Sequence, residues 1–187
     1  RRRIALLREA GALEDADGHA AAAFPFVARA LALEPGSPAH EAELERLGRE
    51  AGDLSAVVAA LDEAASVVAD PARRQALVEH ASRLREDDLG APADALAGWR
   101  AAFDATPHRE DLARAVLRTA LEAGDLDLAA EALDAHGQAR GAVDPGLLAE
   151  ARRRTGDFAG LVERLDAPLR ERDDERRRVA LLRDAAA

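Results

Sequence analysis

The chain has 187 residues and no cysteine, which excludes disulfides, thiolate metal sites and cysteine nucleophiles. Its formal net charge of −10 argues against a non-specific nucleic-acid binder, because such proteins need a basic surface. Aromatic residues make up only 3% of the chain, whereas Ala, Leu, Glu and Arg are frequent, and this composition favours helix almost throughout.

The first predicted helix, RRIALLREAGA at 2–12, closely resembles the last eleven residues of the chain, RRVALLRDAAA at 177–187. Such a match at the two ends predicts a repeated unit between them. The run AAAAFPFVARALAL that follows Gly18 is the most apolar, but it is shorter than the roughly 20 residues of a membrane span. Because proline in a helix interior removes a hydrogen bond and clashes with the preceding turn, this second helix either kinks at Pro25 or begins late, near Phe24, and we expect the late start.

Further along the chain, the dipeptide Gly-Asp recurs before an apolar residue. After each copy the apolar residues are spaced 0, 3, 4 and 7, which is one face of a helix. Gly can end a helix in a left-handed conformation, and Asp can cap the next one. We therefore predict hinges between antiparallel helices at five glycines, two of them in degenerate copies of the motif: Gly18, Gly52, Gly90, Gly124 and Gly156.

Two proline positions indicate where further helices begin. Asp70 precedes Pro71, and Asp144 precedes Pro145. Each pair is typical of a capping residue followed by proline in the first helical position. We therefore expect new helices to begin at these two prolines.

The hinge glycines are 34, 38, 34 and 32 residues apart. A period near 34, with one helix hairpin per period, resembles the tetratricopeptide repeat. After its hinge glycine, a unit of that family carries a small residue at +5, a large apolar residue at +9, Ala at +12 and Pro at +17. Three units match this pattern in part. Two match in full: Ala23, Val27, Ala30 and Pro35 after Gly18, and Ala95, Trp99, Ala102 and Pro107 after Gly90.

The resemblance implies an all-α fold, a right-handed α-solenoid of antiparallel hairpins forming a single array over 1–187. Another kind of α-solenoid, such as a HEAT-like array, is the structural alternative. Large residues of the second helices are expected in the core, namely Leu61, Trp99, Leu133 and Leu165. The predicted units are 2–36, 37–70, 71–107, 108–142 and 143–171, with 172–187 as the first helix of a sixth.

Three features predict that this sequence is a fragment of a longer repeat protein. It has no initiator Met, and its last unit consists of one helix. In addition, Val179, Leu181 and Leu182 would be exposed there, whereas a repeat array normally ends in a polar capping helix. We therefore expect more repeats downstream.

Candidate catalytic motifs are lacking. The five histidines are dispersed without metal-ligand spacing, the glycines are single hinges rather than a phosphate-binding loop, and no Ser-His-Asp pattern stands out. The sequence therefore predicts a protein that is not an enzyme, with no metal and no cofactor.

The resemblance implies a concave groove, lined by the first helices, that binds peptides. Offsets from the hinge glycines place six arginines in this groove, as a basic stripe suited to carboxylates of an acidic partner. The alternative is chance, because all 26 basic residues are arginine and any groove would receive some. The six are Arg46, Arg49, Arg114, Arg118, Arg153 and Arg154.

The predicted function is a scaffold that binds a partner protein or peptide, without nucleic acid and without membrane insertion. The alternative is a regulatory or oligomerisation segment of a larger signalling or assembly protein. A bacterial source is expected, because the use of arginine for every basic residue is typical of GC-rich bacterial genomes. An RNA-binding repeat of the pentatricopeptide kind is disfavoured because the chain lacks Asn and is acidic. Binding of chaperone C-termini, which in this family uses Lys and Asn, is disfavoured because both are absent. The compartment is undetermined, with the cytoplasm slightly favoured.

Overall fold

Helices joined by short loops make up the structure, a computed structural model that describes residues 2–165. No β-strand occurs in that range, so the predicted all-α fold is confirmed. A π-helical turn, Leu84–Asp88, continues α5, and residues 158–165 are helical and are called α10 here. The predicted segment 172–187 and the end of 143–171 lie outside the described residues. The other helices are α1 (Arg2–Ala16), α2 (Ala20–Leu33), α3 (Pro38–Ala51), α4 (Leu54–Val67), α5 (Pro71–Arg83), α6 (Pro92–Ala105), α7 (Glu110–Glu122), α8 (Leu126–Arg140) and α9 (Pro145–Arg154).

The helices group into two compact units, one ending at Ala102 and the other beginning at Phe103, so that the division falls within α6. In the first unit, α2 packs against α1, α3 and α4, and α4 packs against α3 and α5. In the second unit, α7 packs against α8 and α9. Contacts between successive helices are consistent with a helical repeat. Assignment to the tetratricopeptide family and to one continuous array stays a prediction.

Aspartate caps begin the helices where the sequence predicts them. The Asp53 carboxylate accepts from the N–H of Ala56 at 3.0 Å, at the start of α4, and Asp125 accepts from Leu128 at 2.9 Å, at the start of α8. The two Asp-Pro pairs do the same at the starts of α5 and α9. Each cap gives a partner to a backbone N–H that the helix leaves unpaired, so these helix starts follow from local sequence.

Four of the five predicted hinge glycines lie in the left-handed region, with φ of 78° at Gly18, 72° at Gly52, 63° at Gly90 and 74° at Gly124. The left-handed conformation expected for Gly156 is wrong. There α9 ends on an extended Thr155, and its hydroxyl accepts from the N–H of Asp157 at 3.1 Å. A side-chain hydrogen bond therefore supports this turn.

The expected late start of the second helix is also wrong. Helix α2 begins at Ala20 and continues through Pro25. Proline lacks an N–H, which removes one helix hydrogen bond, to the carbonyl of the residue four positions earlier. Ala23 and Val27 are buried on either side of this position. Packing of the apolar face therefore holds the first turn of α2 in place.

The core contains the four large residues that the repeat pattern predicts, since Leu61, Trp99, Leu133 and Leu165 are all buried.

Glycine permits close approach where helices cross. A Cβ atom on Gly48 of α3 would lie 2.1 Å from the Val57 Cγ2 atom of α4. Within 2–165, no helix combines the length and apolar character needed to cross a bilayer.

Candidate functional site on the first helices

The first helices of the predicted hairpins are α1, α3 and α5 in one unit and α7 and α9 in the other. Consecutive first helices within each unit are joined by ion pairs, called the first-helix ion pairs here. Each pair joins residues that are 31 to 39 positions apart, which is close to one repeat. The pairs are Asp15–Arg46, Glu41–Arg73, Glu41–His80, Glu45–His80, Arg49–Asp88 of the π-helical turn, Arg114–Glu150 and Glu122–Arg154.

Arg46 is surrounded by carboxylates of its own chain. Its guanidinium donates to Glu43 and to Asp15 of α1, each at 2.6 Å, and to Glu50 at 2.8 Å. The hydrogen bonds to Glu43, Glu50 and Asp15, in that order, hold the pKa of Arg46 well above its usual value. The positive charge of Arg46 is therefore already compensated by carboxylates of α1 and α3.

Arg49 lies on the same helix and has a similar environment. It donates to Asp88 at 2.6 Å and to Glu45 at 2.9 Å. These two hydrogen bonds, with the one to Asp88 the stronger cause, raise the pKa of Arg49 above its usual value. Arg49 thus links α3 to the π-helical turn that follows α5.

In the second unit, Arg114 donates to Glu110 at 2.6 Å and to Glu150 of α9. The hydrogen bond to Glu110 is the main cause that raises the pKa of Arg114. Arg154 donates to Glu150 at 3.0 Å and lies 3.4 Å from Glu122. Glu150 is buried and accepts from both arginines, so α7 and α9 share one carboxylate.

The other two predicted groove arginines lie on the same helices of the second unit. Arg118 is partly buried on α7, and Arg153 is exposed on α9, where it forms no ion pair with any residue in 2–165. At least four of the six arginines therefore already pair with carboxylates of this chain. A basic stripe that recognises acidic partners stays a prediction, and these intrachain pairs leave less positive charge for such a role.

Reversing the charge at Arg46 should destabilise the first unit. In Arg46→Glu, a fourth carboxylate would join Asp15, Glu43 and Glu50, and like charges repel. Arg46 is partly exposed, so solvent screening limits the loss to about 1–2 kcal/mol of the free energy of unfolding. Urea unfolding followed by circular dichroism measures it. The matched control is Arg153→Glu, which should change stability by less than about 0.5 kcal/mol. Equal effects of the two variants would show that the Arg46 pairs contribute nothing.

A second group of polar residues connects α3 with α5. His80 Nδ1 lies 2.5 Å from Glu41 Oε1, and His80 Nε2 lies 2.8 Å from Glu45 Oε2. Arg73 donates to Glu41 and also to the carbonyl oxygen of Pro35, the latter at 2.8 Å. Because both ring nitrogens face carboxylates, the imidazolium form satisfies this arrangement by donating twice.

The protonation of these groups follows from their contacts. The hydrogen bond to Glu41 raises the pKa of His80, against the opposing effect of burial. Burial by itself would raise the pKa of Glu41, but hydrogen bonds from His80 and Arg73 outweigh it, and the pKa of Glu41 falls below its usual value. The imidazolium is therefore the favoured form of His80 in the folded chain.

Stability should depend on pH through His80. Its pKa is higher folded than unfolded, so its stabilising contribution is complete below the unfolded value of about 6.5 and is lost as pH rises through the folded value. We expect the stability difference between the wild type and His80→Gln to be largest near pH 6 and to shrink at higher pH. Urea midpoints from about pH 6 to pH 9, followed by Trp99 fluorescence, measure this. His19→Gln, at an exposed histidine, is the control. A difference that stays constant with pH would contradict the assignment of the imidazolium.

A cavity of about 680 Å³ lies between α1 and α3. It is lined by Arg8, by three acidic residues and by the buried His40, together with alanines and Val27. The acidic residues are Glu9, Asp15 and Glu43.

His40 has an incomplete set of hydrogen bonds. Its Nδ1 atom is buried and has no hydrogen-bond partner among the described residues. The Oε2 atom of Glu34 lies 3.8 Å away, too far for a hydrogen bond. Burial is the main cause that lowers the pKa of His40, and the positive charge of Arg8 adds to it. Burial therefore favours the neutral form of His40, which lies beside the cavity.

The first helices are predictable from the sequence, whereas the partners of their arginines and the contacts of His40 and His80 are not. A partial signal was present, because the first-helix ion pairs join opposite charges about one repeat apart. Within 2–165, no group of three or more His, Asp or Glu side chains is arranged to hold a metal ion. No protein-family model matches the chain, and a comparison with curated proteins finds no match.

Proposed function

We propose that the chain is a non-catalytic scaffold, related to tetratricopeptide arrays, whose first helices bind a segment of a partner protein. The observation that carries this proposal is the cavity between α1 and α3, two helices that are joined by the ion pair between Asp15 and Arg46. Binding sites are typically concave, largely preformed and equipped with a few polar groups. The first-helix ion pairs keep the spacing of these helices, so the site exists before a partner arrives and binding needs little reorganisation.

Selection of displayed peptides on the immobilised chain tests this proposal directly. Random peptides should converge on a consensus that binds the folded chain and not the same chain in urea. A synthetic peptide with this consensus sequence should then bind the chain with a one-to-one stoichiometry, as measured by calorimetry. Failure to enrich any peptide on the folded chain would contradict a peptide-binding scaffold.

A second candidate function is that of a regulatory or oligomerisation segment within a larger protein. It is supported by two large apolar side chains on α1, Leu6 and Leu13, which are 58% and 65% exposed. They are seven residues apart and therefore lie on the same face of the helix. Sedimentation of the wild type and of Leu6→Glu tests this function, since self-association through α1 should be lost in the variant.

A further inference from the structure

We propose that α1 binds α1 of a second copy of the chain, with the two helices antiparallel across a two-fold axis. This inference rests on the second candidate function, oligomerisation, and names the partner and the geometry of the association. Three features of α1 support it: an exposed apolar stripe, opposite charges at the two ends of that stripe, and the orientation of these charges relative to the helix dipole.

The apolar stripe of α1 lies on the side of the helix that faces away from its neighbours. It contains the exposed side chains of Leu6 and Leu13, with Ala10 between them at helical spacing. Gly11, by contrast, is buried against α2. Ala12, which lines the cavity, precedes Leu13 by one residue, a rotation of about 100° around the helix. The stripe therefore can bind a partner without displacing α2 or closing the cavity.

The two ends of the stripe carry opposite charges. Arg2 is four residues before Leu6, and Asp17 is four residues after Leu13, so helical spacing extends the stripe to both. The N–H of Asp17 still donates to the carbonyl oxygen of Leu13, at 3.2 Å, so this spacing holds at the end of the helix. Both charged side chains are exposed, and no ion pair among residues 2–165 involves either of them. A charge is therefore available at each end.

An antiparallel arrangement pairs these groups in one register. It places Leu6 opposite the partner's Leu13 and, at the same time, Arg2 opposite the partner's Asp17. Both pairs have the same midpoint, between positions 9 and 10, so a single two-fold axis satisfies both. A parallel arrangement would instead place Arg2 against the partner's Arg2, and like charges repel. The charges therefore select the antiparallel orientation.

The charges of α1 also oppose its own dipole. A helix is stabilised by acidic residues in its first turn and by basic residues in its last turn, and α1 has neither. Its first turn contains Arg2 and Arg3, and its last turn contains Glu14 and Asp15. In an antiparallel pair, the basic end of each helix lies beside the acidic end of the other. An arrangement that is unfavourable within one helix is therefore favourable between two.

The association should be weak and reversible. Helix α1 has 15 residues and is therefore about 22 Å long, which limits the area that two copies can bury. Small interfaces are typical of transient association. We expect a monomer–dimer equilibrium with a dissociation constant on the order of 100 µM.

Sedimentation equilibrium of the wild type between about 10 µM and about 1 mM tests the association. Leu6→Glu should weaken the dimer by about tenfold or more, because its carboxylate would face the partner's Leu13. The matched control is Val67→Glu, which makes a similar change at a side chain that is 59% exposed at the end of α4. This control should change the dissociation constant by less than about twofold. A wild type that stays monomeric, or equal weakening in the two variants, would overturn the proposal.

A charge reversal tests the pairing of the two ends. Asp17→Arg and the double variant Arg2→Glu/Arg3→Glu should each weaken the dimer by about fivefold, since each change acts twice in a symmetric pair. The chain with all three substitutions again has opposite charges at the two ends, and its dissociation constant should return to within about threefold of the wild type. Circular dichroism of each variant checks that α1 remains helical. Absence of recovery in the combined variant would contradict the antiparallel pair.

Cysteine cross-linking tests the orientation directly, because the chain contains no cysteine of its own. Mixed Leu6→Cys and Leu13→Cys proteins should form a disulfide-linked dimer when oxidised glutathione is added. Leu6→Cys by itself should not, because its two sulfurs would lie seven residues, or about 10 Å, apart along the helix axis, too far for a disulfide. Cross-linking of Leu6→Cys to itself as readily as in the mixture would overturn the antiparallel orientation.

Failure of this inference can be separated from failure of the candidate functions. If the wild type associates but Leu6→Glu associates equally well, or if Leu6→Cys cross-links to itself, oligomerisation stands and the antiparallel α1 pair fails. If the wild type is monomeric at every concentration, both fail. The scaffold function is tested independently by peptide selection, because the stripe faces away from the cavity.

Discussion

Replacing Trp99 with alanine should lower the free energy of unfolding by about 3–5 kcal/mol, the range of large aromatic truncations in protein cores. The indole is 5% exposed, so its removal leaves a void in the packing around it. Its Nε1–H donates to Glu86 Oε2 at 2.9 Å, and the variant also removes this hydrogen bond between α6 and the π-helical turn. Loss of packing causes most of the destabilisation, because the large apolar surface that an indole buries contributes more to stability than one hydrogen bond does.

Trp99 is the only tryptophan, so unfolding of this variant has to be followed by circular dichroism rather than by fluorescence. Trp99→Phe is the informative control. It retains an aromatic ring and loses the hydrogen bond, so it should be distinctly more stable than Trp99→Ala. If Trp99→Ala costs less than about 1 kcal/mol, the value of an average substitution, the indole is not a core element.

Replacing Gly48 with alanine should also destabilise the chain, by about 1–3 kcal/mol, the cost of overpacking a close contact. Helix propensity by itself would predict the opposite change in the free energy of unfolding, since alanine in a helix interior is favoured over glycine by up to about 1 kcal/mol. The reason is the crossing of α3 with α4, where the new Cβ would lie 2.1 Å from Val57 Cγ2 and 3.3 Å from the carbonyl oxygen of Asp53. Val57 is fully buried and cannot move away into solvent.

A double-mutant cycle separates this clash from other effects of the substitution. Val57→Ala removes the Cγ2 atom that the new methyl group would meet. In that background Gly48→Ala should destabilise the chain much less, because the 2.1 Å contact with Val57 is gone and only the 3.3 Å contact with the Asp53 carbonyl oxygen remains to oppose the helix propensity of alanine. Urea unfolding of the four proteins gives the coupling energy. Additive effects of the two substitutions would contradict the close contact at this crossing.

The arginine prediction shows what a repeat pattern can and cannot assign. Offsets from the hinge glycines placed Arg46 and Arg114 on first helices, and both lie there. Whether such a charge is available depends on its neighbours, and these include residues 31 and 36 positions away, Asp15 and Glu150. Those neighbours adjoin the arginines only because successive hairpins stack. An offset within one unit contains no information on them.

Local sequence by itself determined where most helices begin and end. Aspartate caps, proline in the first helical position and glycine at hinges each act through backbone groups within a few residues, so Asp53, Pro71 and Gly124 were predictable one at a time. The spacing of apolar residues likewise predicted that Leu61 and Trp99 are buried. Each of these features depends on interactions that a window of about ten residues contains.

Only the tertiary structure decided the features that arise between helices. These are the helical conformation at Pro25, held by burial on both sides, the close crossing at Gly48, the two carboxylates around His80 and the Nδ1 atom of His40, which has no hydrogen-bond partner within 2–165. Each depends on groups that are distant in the chain and become neighbours through packing. Burial then alters their chemistry, because it favours the neutral form of His40, whereas adjacent carboxylates favour the charged form of His80. Histidine therefore favours the neutral form at position 40 and the charged form at position 80, because folding gives the two side chains different neighbours.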